Sequence, residues 1–265
     1  MSEPPILLDV DDGVARLELN RPDAANAIDV ELAGALAEAT QELARRDDLR
    51  AVLVTGAGAR FCGGGDVRSF ADAGAGLSAR LTEIIERLHV AVTRLAAIDV
   101  PIVAAVQGSA AGAGLALVAG ADLVVAGESA RFVMAYTAIG LTPDGGSTWY
   151  LERSIGRQRA LDLVLTNRVL SATEAMEWGL VARVVPDADV RAEAEHLVTA
   201  LGAGPTHAFR AAKRLLRAAP STSLADQLAD EARELTRAGG SADAREGVAA
   251  FVEKRAPTFD GRAPV

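Results

Sequence analysis

Two hydrophobic periods alternate along the first 186 residues of this chain. Runs typical of strands, either alternating or wholly apolar, occur at 14–20, 51–55, 102–106, 123–126, 131–133 and 180–185. Apolar residues at helical spacing occur at 29–46, 81–97 and 112–120. Strands that alternate with helices predict an α/β fold.

The pattern changes towards the C-terminus. Ser171 and Glu174 have the spacing of a capping box, and Gly179 stands where that helix is expected to end. Beyond residue 202 the strand pattern disappears and only helical spacing remains. The sequence therefore predicts an α/β core over 1–200 and a helical C-terminal domain over 201–265.

Charge and composition exclude several classes of function. The chain has 27 Lys and Arg against 36 Asp and Glu, a formal net charge of −9, which disfavours binding of nucleic acid. Its single cysteine, Cys62, allows neither an internal disulfide nor a zinc cluster. The N-terminus lacks a secretory pattern, so we expect a cytoplasmic protein. The apolar stretch 100–127 is broken by Pro101, Gln107 and Asp122, so we expect no membrane span there.

Two glycine-rich segments each follow a buried strand and precede a helix. They are 61–67 (FCGGGDV) and 107–114 (QGSAAGAG). Neither has the lysine of a phosphate-binding loop. Tight turns with close packing are one interpretation. The other is an oxyanion hole, since glycines let backbone N–H groups approach a ligand oxygen.

Taken together, segments along nearly the whole chain resemble the crotonase superfamily of enoyl-CoA hydratases and isomerases. They are Arg21-Pro22 with 26–28 (NAI), 61–67, 104–126 (AAVQGSAAGAGLALVAGADLVVA), 139–146 (IGLTPDGG), 170–185 (LSATEAMEWGLVARVV) and 246–262. The resemblance implies a spiral of ββα units with a helical C-terminal trimerisation domain. It also implies a homo-oligomer, either a trimer or a pair of trimers.

The same resemblance implies where an acyl-CoA substrate binds. The backbone N–H groups of Gly65 and Ala113 correspond to the oxyanion donors. The implied coenzyme A contacts are Ala24, Ala25, Ala27, Gly63, Gly64, Asp66, Val67 and Lys254. Either Lys254 or Arg255 would contact the phosphates, from the same subunit or a neighbouring one, and a solvated helix end is the alternative for each. Capping of the following helix is an equal alternative for Asp66. Coenzyme A is part of the substrate, so neither a separate cofactor nor a metal is expected.

The sequence departs from the hydratases of this superfamily at both catalytic glutamates. Their positions correspond to Ala116 and Tyr136, and neither side chain can act as a carboxylate. Tyr136 is instead expected to line the acyl pocket. Asp144 matches an acid/base aspartate of some superfamily isomerases, although its pattern with Pro143 also fits a helix N-cap.

The run from 132 to 157 resembles the isomerases of bacterial phenylacetate degradation. The leading hypothesis is therefore an enoyl-CoA or epoxyphenylacetyl-CoA isomerase that uses Asp144. The alternatives are a hydratase or another lyase of the superfamily, or a catalytically silent acyl-CoA-binding protein.

Other polar residues receive plainer interpretations. His89 is expected to have a structural or surface role, because it lacks metal or triad partners in the pattern. Arg210, Lys213, Arg214 and Arg217 are expected to form a solvated helix face. The segment 68–80 is expected to be mobile and to help shape the acyl pocket.

Overall fold

A six-stranded sheet forms the centre of the computed structural model, which describes residues 3–261. Its order is β1-β2-β3-β4-β6-β9, and a second sheet has the order β5-β7-β8. The strands are β1 (Ile6–Asp11), β2 (Val14–Leu19), β3 (Ala51–Gly56), β4 (Ile102–Val106), β5 (Ser109–Ala111), β6 (Leu123–Gly127), β7 (Arg131–Val133), β8 (Leu170–Ser171) and β9 (Arg183–Val185). In the central sheet, all pairs after the antiparallel β1–β2 pair are parallel.

Helices cover both faces of the central sheet and form the C-terminal part. They are α1 (Val30–Ala44), α2 (Val67–Ala73), α3 (Leu77–Ala97), α4 (Ala113–Ala119), α5 (Ser147–Ile155), α6 (Arg157–Thr166), α7 (Ala172–Glu177), α8 (Val190–Gly202), α9 (Thr206–Ala218), α10 (Leu224–Gly239) and α11 (Ala242–Glu253).

The alternation of side chains along the strands divides the core in two. On one face, Leu17 and Val52 pack in a cluster with Leu36 of α1 and Leu88 of α3. On the other face, Leu53 and its neighbours pack in a second cluster with α8. Strand β3 is buried along its whole length, as expected for a parallel strand covered on both sides.

The predicted α/β core with a helical C-terminal part is confirmed. The capping box of Ser171 and Glu174 is present in both directions. Helix α4 occupies the predicted apolar segment. The predicted domain boundary stays a prediction, and residues 1–2 and 262–265, at the two ends, lie outside the described residues.

Several element boundaries were predicted incorrectly or missed. Strand β1 was not predicted. Strand β9 is shorter than the predicted 180–185. Within the segment 68–80 the structure forms most of α2 and the first turn of α3, which was predicted to begin at residue 81.

The four cations of α9 do not form the solvated face that the sequence predicted. Arg210 donates to the carbonyl of Leu49, and Lys213 donates to the carbonyl of Val100 and to Asp122. Arg214 and Arg217 make ion pairs with Asp99. Carbonyls and carboxylates at the ends of the core elements therefore hold α9, which a helical pattern alone does not reveal.

In residues 3–261 no helix combines the length and the apolar character that crossing a bilayer requires.

The C-terminal helices expose a group of large apolar side chains. They are Leu216, Leu224, Leu228, Leu235, Val248, Phe251 and Val252. Leu235 is 77% exposed, and Phe251 is 86% exposed. Large apolar side chains that are exposed in such number, where they form a patch, mark interaction sites. The predicted homo-oligomer would cover it.

We therefore expect sedimentation equilibrium to give a mass of several chains, in line with the predicted trimers. The Leu228→Glu/Leu235→Glu double variant should shift the distribution towards smaller species, because buried carboxylates without partners are costly. A stable monomer of the unaltered chain at micromolar concentration would contradict the predicted assembly.

Candidate active site

Two loops are joined through their backbones at the carboxyl ends of β3 and β4. The N–H of Cys62 donates to the carbonyl of Ser109 (3.1 Å), and the N–H of Ala111 donates to the carbonyl of Cys62 (2.9 Å). These bonds align the segment 61–67 with β5. Both glycine-rich motifs of the sequence therefore meet at one place.

Glycines allow the two loops to approach so closely. A Cβ on Gly64 would lie 2.9 Å from the carbonyl oxygen of Ala111, and Gly64 has a φ of +93°. A Cβ on Gly114 would lie 2.6 Å from both the Cβ and the carbonyl oxygen of Cys62. Any larger side chain at either position would push the loops apart.

Where the two loops meet, two backbone N–H groups that line one cavity make no hydrogen bond. Within residues 3–261 the N–H groups of Gly65 and Ala113 have no acceptor. Ala113 is the first residue of α4, whose N-cap, Gly112, offers no side-chain acceptor. Both residues line the same cavity, as an oxyanion hole requires.

Asn26 fixes the glycine-rich loop from the other side. Its buried side-chain amide donates to the carbonyls of Ala57, Arg60 and Phe61, and its Oδ1 accepts from the N–H of Arg21. The resemblance included Asn26, but no pattern in the chain indicated this role.

The Ala24–Ala27 segment also adjoins the loop. The N–H of Gly63 donates to the carbonyl of Ala25 (2.8 Å). The side chain of Arg21 contacts the carbonyl of Ala27 and pairs with Asp29 and Asp66. The structure thus brings this segment and the 63–67 loop together, although Ala24, Ala25 and Ala27 do not line the cavity.

Asp66 caps a helix in the structure. Its carboxylate accepts from the N–H groups of Arg68 and Ser69 at the start of α2, and it pairs with Arg21. These contacts match the capping alternative for this residue. A contact between Asp66 and coenzyme A stays a prediction.

An apolar cavity of about 230 Å³ opens beside the two unpaired donors. Its lining residues include Ile28, the glycines 63–65, Val67, Phe70, Leu81, Ile84, Ile85, Leu88, Gly112, Ala113, Met134, Tyr136, Ile139, Leu141, Thr142 and Asp144. The ring of Phe70 lies over Gly65, where an added Cβ would be 2.6 Å from the ring edge. In the described chain, Asp144 is the one carboxylate that lines this cavity.

The carboxylate of Asp144 does not cap a helix. Helix α5 begins at Ser147 with Gly146 as its N-cap, and the Asp144 side chain instead accepts a hydrogen bond from the hydroxyl of Tyr136. The N-cap alternative for this residue is therefore wrong. The left-handed Gly145 and Gly146, with φ of +61° and +77°, form the turn that separates Asp144 from α5.

His89 contacts the same turn. Its Nε2 accepts from the N–H of Gly145 at 3.2 Å, so its structural role is to hold the residue after Asp144. Its position among the apolar residues of α3 gave no signal of this contact.

Ala116 packs beneath the Asp144 turn. A Cβ on Gly145 would lie 3.0 Å from the Cβ of Ala116. Ala116 is buried and does not line the cavity. Ala116 therefore lies next to the turn that carries Asp144, and its methyl group supplies neither an acid nor a base.

Two titratable groups at the site are held in their neutral forms. Burial, with the charge of Asp144 as the second cause, raises the pKa of Tyr136 far above its usual value. Burial raises the pKa of the Cys62 thiol to about 12, and its Sγ donates to the carbonyl of Asn26. Cys62 is therefore a packed thiol and not a reactive nucleophile.

Lys254 lies away from this cavity within one chain. It ends α11 in a left-handed conformation with a φ of +55°. Its neighbour Arg255 pairs with Glu246 and Glu253. A contact from Lys254 to coenzyme A in another subunit stays a prediction. As for metals, no three histidine, cysteine, aspartate or glutamate side chains in the described part of the chain converge as ligands.

Comparison with known proteins agrees with this geometry. The family model described as enoyl-CoA hydratase/isomerase matches residues 9–262. The chain is 42% identical to the 1,2-epoxyphenylacetyl-CoA isomerase of Escherichia coli K12, over 97% of this chain and 98% of that protein. It is 41% identical to a "probable enoyl-CoA hydratase" of Rhodobacter capsulatus, over 99% and 100% of the two chains.

Solved structures show the same fold. The crystal structure of an enoyl-CoA hydratase from Polaromonas sp. JS666 superposes with a TM-score of 0.89 at 34% identity. The match covers 96% of this chain and 99% of that chain. The crotonase fold that the sequence motifs predicted is thereby confirmed.

We expect Gly64→Ala to destabilise the protein by roughly 1–3 kcal/mol, because alanine is strained at positive φ and its Cβ would contact the Ala111 carbonyl. Urea denaturation measures the change. Gly76→Ala is the matched control: no atom lies within 4 Å of its Cβ position, and we expect a change within about 0.5 kcal/mol. Equal stability of both variants would contradict the close approach of the loops.

Proposed function

The chain belongs to the enoyl-CoA hydratase/isomerase family, and we propose that it is an isomerase of this family that uses Asp144 as its acid/base. The observation that supports this proposal most strongly is that Asp144 is the one carboxylate, among residues 3–261, that lines the cavity. Moving one proton between two carbons needs one such group, whereas adding water needs a second to activate the water.

The proposed binding mode follows from the site's polarity. The thioester carbonyl oxygen would accept from the N–H groups of Gly65 and Ala113, and the acyl group would enter the apolar cavity. The coenzyme A moiety would extend towards the Ala24–Ala27 segment. A CoA thioester should therefore bind more tightly than the free acid, which lacks the nucleotide.

The proposed chemistry begins with removal of a proton from carbon. Asp144 takes a proton from the acyl chain, and the electron pair moves towards the thioester to give a dienolate. The two N–H donors stabilise the negative oxygen. The protonated Asp144 then returns the proton to a different carbon, so that the double bond has moved and no water has been added.

The oxyanion donors and the acid/base would each contribute to the rate of the reaction. Each oxyanion donor typically lowers the barrier by about 2.7–4 kcal/mol. A positioned acid/base contributes roughly 10²–10⁴-fold in rate. Loss of Asp144 should therefore leave the binding intact while it removes most of the turnover.

The cavity supports two classes of acyl group. A cavity of about 150 Å³ lined by apolar side chains holds a benzene ring. The present cavity, at about 230 Å³, has room for a six-membered ring on a short arm or for a short enoyl chain. The isomerase from Escherichia coli that this chain resembles is named for the first class.

The second candidate is a hydratase, a name that several similar proteins carry. Ala116 argues against it, because a methyl group at this position supplies no second carboxylate to activate water.

Asp144→Asn should lower kcat for conversion of 3-enoyl-CoA to 2-enoyl-CoA by roughly 10²–10⁴-fold. Asparagine retains an oxygen that accepts from Tyr136, so the melting temperature should change little. Initial rates in the ultraviolet give kcat, and calorimetry gives the affinity for an acyl-CoA.

Asp162→Asn provides a control on the exposed surface of α6 and should leave kcat unchanged. Wild-type turnover by Asp144→Asn would refute the proposed acid/base. Rapid hydration of 2-enoyl-CoA by the unaltered protein would favour the hydratase instead. Tight CoA binding with no turnover of either class of substrate would favour a silent binding protein.

A further inference from the structure

Tyr136 directs its hydroxyl at the proposed acid/base. The phenol donates to Oδ1 of Asp144. The other carboxylate oxygen makes no hydrogen bond or ion pair within residues 3–261. Tyr136 occupies the position that corresponds to a catalytic glutamate of the hydratases. It lines the cavity and also forms a hydrogen bond to Asp144.

The backbone holds Tyr136 in this orientation. Ala135 has a left-handed φ of +56°, which is uncommon for a residue with a side chain. The N–H of Tyr136 donates to the carbonyl of Met134 (2.7 Å), and its carbonyl accepts from the N–H groups of Ile139 and Leu141. A local strain maintained by three hydrogen bonds is typical of residues at functional sites.

We propose that Tyr136 is a positioning residue for Asp144: its hydroxyl fixes one carboxylate oxygen so that the other faces the substrate, and it stabilises the ionised carboxylate. This inference rests on the proposed function, since it assigns the geometry of the same acid/base. It goes beyond the pocket role that the sequence predicted for Tyr136.

Tyr136 acts as a hydrogen-bond donor without giving up its proton. Burial, and then the charge of Asp144, hold its pKa far above the usual range, so transfer of its proton to a substrate carbon would leave an unfavourable phenolate. A hydrogen bond to the charged form of a carboxylate favours that form. Tyr136 therefore holds the carboxylate and does not take part in the proton transfer itself.

Two other titratable groups face this pair in the described chain. His89, on α3, accepts from the N–H of Gly145, and Cys62 interacts electrostatically with Tyr136. The experiment must therefore separate an effect of His89 from an effect of Asp144.

Tyr136→Phe keeps the ring and removes only the donor. We expect kcat to fall roughly 10- to 100-fold, because the carboxylate is no longer held in place, with little change in KM. In a double-mutant cycle, Tyr136→Phe should have no further effect on Asp144→Asn.

Tyr150→Phe is the matched control. The chain has two tyrosines, and the Tyr150 ring packs against Gly120 and Gly146 without lining the cavity. This variant should retain the wild-type kcat and KM. A role for Tyr136 in pocket shape alone would change KM and leave kcat close to its wild-type value.

A readout that does not depend on turnover uses ¹³C NMR of the Tyr150→Phe protein, with its remaining tyrosine labelled at Cζ. We expect the Tyr136 resonance to shift in Tyr150→Phe/Asp144→Asn, because a neutral amide is a weaker acceptor than a carboxylate. His89 is unchanged in both proteins, so the difference between them reports on Asp144. A resonance that does not respond to Asp144→Asn would overturn the inference.

The kinetic outcomes separate the inference from the proposed function. If Asp144→Asn loses turnover while Tyr136→Phe keeps the wild-type kcat, the positioning role is wrong and the isomerase proposal stands. If Asp144→Asn keeps full turnover, both are wrong.

Discussion

The close backbone approach between the 61–67 loop and the segment from β5 to α4 is the constraint on which the site depends. Hydrogen bonds between Cys62 and the β5 backbone set the register. Gly64 and Gly114 remove the side chains that would otherwise separate the loops. Because the backbone bonds of the loop are satisfied elsewhere, the N–H groups of Gly65 and Ala113 stay available. A preorganised pair of donors needs no rearrangement when negative charge develops on a ligand oxygen.

The rest of the site is built around this pair. Asn26 anchors the loop by three donated hydrogen bonds. Helix α3 supplies an apolar wall to the cavity, and from the same helix His89 holds the turn after Asp144. Tyr136 holds the carboxylate itself. The result is an apolar cavity that has two unpaired N–H groups and, among residues 3–261, a single restrained carboxylate. This arrangement is suited to moving a proton along an activated acyl chain.

Much of this architecture could be predicted from the sequence. Buried strands, α4 and the capping box of α7 follow from periodicity and spacing, and the two glycine motifs pointed to the donors. Contacts between distant segments were not predictable in the same way. No pattern in the chain indicates that the α9 cations bind the core carbonyls, or that His89 reaches Gly145. Asp144 shows most clearly what the sequence cannot predict. A proline-aspartate pair before a helix also fits an N-cap, and only the turn at Gly145 and Gly146 in the structure excludes that role.

A crystal structure with a non-reacting CoA thioester tests the central claim most directly. The thioester oxygen should lie about 2.7–3.1 Å from the backbone nitrogens of both Gly65 and Ala113, with the acyl carbons in the cavity beside Asp144. A thioester oxygen bound away from these two nitrogens, or an acyl group outside the cavity, would contradict the account.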